Sequence, residues 1–189
     1  MSEYILDQRR RVLEDSFFAK VDQELLRRLQ EEMETQQEEE QLARVSGISD
    51  KFLLDRLIGC GIKSSTWAAM SLVPLVEVAW ADGHVVDEER VAVLQSAHEA
   101  GLESNAPAYQ LLEQWLHHRP EPSLRQAWKD YVHALCENAA PDTREAFRTQ
   151  VLERAQRVAE AWGGMLGMGN AVSDSEQKVL DDLHSALGH

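Results

Sequence analysis

The chain has 189 residues, enough for one good core or a compact domain with an appendage. With 19 Lys plus Arg against 33 Asp plus Glu its net charge is −14, which disfavours a nucleic-acid role and suits cations or basic protein surfaces. Two cysteines, Cys60 and Cys136, form no CxxC and no disulfide-like ladder.

Residues 7 to 44 contain neither Gly nor Pro. Val12, Leu13, Phe17, Val21, Leu25, Leu29 and Met33 recur at three- and four-residue steps, predicting a long amphipathic helix over 1–46. The stripe fades into the charged run "ETQQEEEQ". Such a helix reaches roughly 50 Å, more than a small domain needs, and is expected to project or to lie across the main domain. Its apolar face, with Phe17, Phe18, Val21, Leu25, Leu29 and Met33, must be buried on the bundle, on a second copy or on a protein partner.

The rest, 47–189, reads as a helical bundle. Ser49 is the expected N-cap of a short helix that stops at Gly59–Gly61. Trp67 to Ala81 reads as one helix, kinked by Pro74 or starting where a missing N–H is tolerated. Further helices are expected at 87–100, 108–118, 123–137, 142–162 and 174–187, and no alternating strand pattern occurs. The fold class is all-α. The start "MSEYILDQRRRVLED" lacks an apolar signal-peptide core, and the apolar stretch 67–81 carries Pro74 and Glu77. A cytoplasmic chain with no membrane insertion is therefore expected.

The segment "SLVPLVEVAWADGHVVDEERVAVL" is the one that invites a site. An apolar helix ends at Ala-Asp-Gly, and three consecutive acids open the next helix. Gly83 suits a left-handed position after the helix, Val85 turns inward, and Asp87, Glu88 and Glu89 favour the positive end of the new helix. The alternative is a hard divalent cation, Ca²⁺ or Mg²⁺, held by Asp82, Asp87 and Glu88 with Glu89 in support. The spacing is not that of an EF-hand loop, and the reading as helix punctuation leads.

Val76 to Leu94 resembles the tellurite-resistance TerB family, through "VAWADG", an apolar Val85 and Glu89 seven residues after Asp82. The resemblance covers about 66–187 and implies a compact bundle in which a helix–link–helix unit occurs twice. The second copy is "RVAEAWGGMLGMGNAVSDSEQKVLDDL", where Val172 and Glu176 stand as Val85 and Glu89 do. It departs in carrying Gly169 in place of the family's aspartate and a "GGMLG" insertion. "SDSE" there is a capping box. The family implies a link to stress resistance, divalent cations and partners at membrane complexes, with peripheral rather than inserted association. The first helix is also similar, at Arg9, Glu14 and Phe17, to the start of the ATP synthase zeta subunit.

Catalytic signals are lacking. "AWGGMLGMGN" follows a helix and lacks the Gly-Lys-Ser/Thr of a phosphate loop, and its Met165, Leu166 and Met168 read as packing or as a small docking surface. His117 and His118 are adjacent and so do not share a helix face, and His133 and Cys136 lack partners for a metal set. The expected function is a non-enzymatic interaction or scaffold role, with divalent-cation binding as the alternative.

Overall fold

The computed structural model describes the backbone over 2–166 and 172–188, and side chains over 20–137, 139–161 and 172–188. Eight α-helices and one 3₁₀ segment make up the described residues, with no strand among them. The chain divides into two compact units, Met1–Gln41 and Leu42–His189.

The first unit lies within α1 (Ser2–Ser46). Glu24 binds Arg27 (2.8 Å) and Arg28 (3.0 Å), and Arg27 also binds Glu31, so neighbouring turns are tied along the surface. Bonds from both arginines hold the Glu24 carboxyl down at about 2.

The second unit begins with the last residues of α1, where Leu42 is fully buried. Helix α2 (Lys51–Gly59) starts at Asp50, not at Ser49 as the sequence suggested. The Asp50 Oδ1 accepts from the backbone N–H of Phe52 (2.8 Å) and Leu53 (3.4 Å).

The expected helix over 67–81 is two elements: a 3₁₀ segment, Ser64–Leu72, and α3, Val73–Ala79. Pro74 has no N–H to give the Met70 carbonyl, and the Val73 N–H bonds it instead in the tighter i to i+3 geometry. Hydroxyl side chains add to this. Thr66 Oγ1 accepts from the Lys63 N–H (2.9 Å) and Ser71 donates to the Ala68 carbonyl (2.9 Å), offering the backbone alternatives to an α-turn.

Every residue of α3 but Glu77 is buried, so it behaves as a helix apolar all round, enclosed by neighbours. It packs against the 3₁₀ segment and against α4 (Asp87–Glu99), α5 (Pro107–His117), α6 (Pro122–Asn138), α7 (Pro141–Leu166) and α8 (Asp174–Leu187). Helix α7 continues through Gly163 and Gly164 to Leu166, past the end expected at 162. Trp115 and Trp128 are buried in this core, and Trp67 meets Tyr131 edge-on at 4.8 Å. None of the described helices is long and apolar enough to cross a membrane.

Glu77 is the one charge on α3, and its environment ties three helices. Its carboxylate lies 3.5 Å from Arg125 of α6, which also binds Asp182 of α8 at 2.9 Å. Burial pushes the Glu77 carboxyl above its ordinary range, against the pull of Arg125.

Candidate functional site

The link between α3 and α4 turns on Gly83, whose φ of 96° is a conformation that side-chain-bearing residues avoid. Asp82 stabilises this turn locally: its Oδ1 accepts from the His84 N–H at 3.2 Å and lies 3.2 Å from His84 Nδ1. Val85 then packs against the core, and α4 opens with Asp87, Glu88 and Glu89 in its first turn.

The four candidate ligands take different environments. The Asp87 side chain is 95 % exposed, 3.8 Å from Arg90, and Glu88 is half-buried. Glu89 is buried, and its Oε2 accepts from the Val86 N–H at 3.0 Å, satisfying one of the orphan donors at the helix start. Among the described residues no three His, Cys, Asp or Glu side chains gather as a metal set.

The second link repeats the arrangement of the first. At the start of α8, Glu176 Oε2 accepts from the Ser173 N–H (2.6 Å) while Ser173 Oγ accepts from the Glu176 N–H (3.3 Å), a full capping box. Val86 and Ser173, the residues just before α4 and α8, have nearly the same backbone angles, φ −82° and ψ 163° against φ −75° and ψ 162°. Val85 and Val172 are both half-buried against the core. The two links are thus built alike around their helix starts, down to the bond made by each glutamate.

These two equivalent glutamates are both buried. Glu89 is 5 % exposed and Glu176 7 %. Burial, followed by the nearby Glu176 and Asp82 carboxylates, pushes the Glu89 carboxyl up to about 7, while the Val86 N–H pulls the other way. Glu89 is thus an enclosed carboxyl held well above its ordinary range, the kind of perturbed group that functional sites favour.

Sequence reasoning assigned Glu89 and Glu176 separately to their own helix starts and did not foresee that both would be buried. The usable signal was the equal four-residue step from Val85 to Glu89 and from Val172 to Glu176.

The remaining candidates are dispersed. Cys136 is buried, while the His133 side chain is exposed and lies 3.3 Å from Glu137. His117 and His118 are exposed, and His117 Nδ1 accepts from the Arg90 guanidinium at 3.1 Å. A cleft of about 520 Å³ lies between the 46–50 turn and α6, lined by Ile48, Ser49, Tyr131 and Leu135. The side chains of Met165, Leu166 and Met168, like Gly169, lie outside the described residues.

On α1 the Val21, Leu25, Leu29 and Met33 side chains are exposed, together with Leu26. Phe17 and Phe18 have helical backbone, but their side chains lie outside the described set, as do those of Arg9 and Glu14. Four-residue steps advance about 40° around a helix, and Leu26 extends the same sector to about 140°. Arg27 stands on the opposite side.

Compared with known proteins, the chain matches no family model, no curated protein and no solved structure.

Proposed function

We propose that the protein is a non-enzymatic interaction protein of TerB-like type, acting in stress response, with α1 as its docking element. The observation that carries this reading is the exposed apolar sector from Val21 to Met33. Four of its side chains fall on one winding face, and a lone helix gains little stability without covering such a face. A helix-in-groove contact with a protein partner uses apolar anchors at this kind of spacing. Ion pairs among Glu24, Arg27, Arg28 and Glu31 occupy the rest of the surface and keep the helix formed while it waits. The resemblance to the TerB family is what suggests stress response, a cytoplasmic setting and a partner belonging to a membrane-associated complex.

Photo-crosslinking in the producing cell tests this directly. A photoreactive residue at Leu25 or Leu29 is expected to give one adduct of defined mass, and the same residue at Arg27 none. An adduct of twice the chain's mass identifies the partner as a second copy. No adduct, or equal yields from both faces, overturns the docking role.

A further inference from the structure

We propose that the cleft between the 46–50 turn and the end of α6 is a second docking site, whose occupant is a Lys or Arg side chain presented between apolar neighbours by a segment of another protein. The cleft lies within the second unit and shares no residue with the Val21–Met33 sector of α1. Its volume of about 520 Å³ is that of a ligand-sized site. Its floor is apolar: Ile48 is buried, and Tyr131 and Leu135 are half-buried. The stem of a Lys or Arg packs on such a floor, and an aromatic wall adds attraction for the charged end.

Charge at the rim selects a cation. Among the described residues that line the cleft, the charged ones are Asp50 and Glu137, with no Lys, Arg or His. The Asp50 Oδ1 is committed to the start of α2, so Glu137, whose side chain is exposed, is the carboxylate that meets the incoming cation. The end of α6 contributes the negative pole of a 17-residue helix. At Ala139 the chain leaves that end extended, with φ −88° and ψ 146°, and does not fold back over it. Nearby cations stand outside the lining: Arg144 donates to the Ala139 carbonyl at 3.5 Å, and His133 lies 3.3 Å from Glu137. The net charge of −14 steers basic segments towards the protein as a whole.

Exposed apolar side chains point to a protein segment and not to a free amine. In the second unit three large apolar side chains are exposed among the described residues, Val45, Phe52 and Val91. Two of these, Val45 at 53 % and Phe52 at 86 %, bracket the 46–50 turn in the chain. A small amine in the cleft leaves both uncovered, whereas a segment covers them with the apolar residues beside its Lys or Arg.

Selection of phage-displayed random peptides on the immobilised full chain, followed by affinity measurements with the synthetic peptides, provides the test. Wild type is expected to enrich peptides that carry Lys or Arg beside an apolar residue. The leading peptide is expected to bind Glu137→Lys about tenfold more weakly, and Phe52→Ala more weakly than wild type. Citrulline or norleucine in place of its Arg or Lys is expected to cost about as much as Glu137→Lys. Both protein substitutions fall on exposed side chains, so the fold is expected to survive, and circular dichroism checks that it does. Enriched peptides that lack a cation, peptides that bind Glu137→Lys as well as wild type, or no enrichment at all overturn the proposal. Peptides weakened by Leu25→Asp and untouched by Glu137→Lys belong to the α1 sector and overturn it equally.

Discussion

Asp50 shows how one side chain sets where an element begins. Ser49 and Asp50 are both good N-cap residues, and sequence alone offers no strong reason to choose between them. The structure chooses Asp50, whose carboxylate reaches two N–H groups of α2. Asp50→Ala is therefore expected to destabilise the protein by about 1 kcal/mol, with Ser49→Ala costing less than about half of that. Urea denaturation of the two variants checks the assignment, and equal losses would contradict it. The same reasoning was decisive in advance at Ser173, where the serine and the glutamate three residues on specify both halves of the capping box. Glu89 shows the limit of such reading. Its cap to Val86 is local, whereas Glu176, whose charge raises its carboxyl, lies far away in the sequence, and no local rule reaches that influence.

At the scale of elements, boundaries marked by acids, caps and Gly were legible, and those decided by missing donors were not. Helix α8 runs over the expected residues, and α4 ends within one residue of expectation, ahead of Gly101. The 67–81 segment was misjudged because periodicity records where apolar side chains fall and not which carbonyl lacks an N–H. A 3₁₀ turn and an α-turn both put Ala69 and Leu72 inside. The contact among α3, α6 and α8 through Glu77, Arg125 and Asp182 also has no sequence signature. It makes a specific claim on stability. Arg125→Met leaves the enclosed Glu77 without its nearest cation, and the expected loss at pH 7 is about 1–3 kcal/mol. Glu77 already has a raised carboxyl, so stability it contributes is present at low pH and declines as the pH rises. The penalty of the variant is accordingly expected to shrink on acidification towards about pH 4.5, because protonation removes the buried charge. Denaturant titrations of wild type and variant at both pH values measure the difference, and a penalty that does not change with pH would show that Glu77 is not its source.

The whole molecule joins two parts with different physics. One is a helix held by charge pairs and carrying an apolar sector, and the other is a bundle built about a short, almost entirely apolar helix. The acids that outnumber the bases in composition serve both parts, in ion pairs on α1 and at helix starts in the bundle. The central place of α3 has a consequence for how the amide protons of the bundle leave for solvent. Helix α3 touches every other element between Ser64 and Leu187, whereas the start of α4 lies next to the exposed link. Deuterium is therefore expected to enter the backbone of Leu75 to Ala79 only when the bundle unfolds as a whole, and to enter 87–90 sooner through local opening. Protection that is uniform across both segments would place the first opening of the bundle somewhere other than the start of α4.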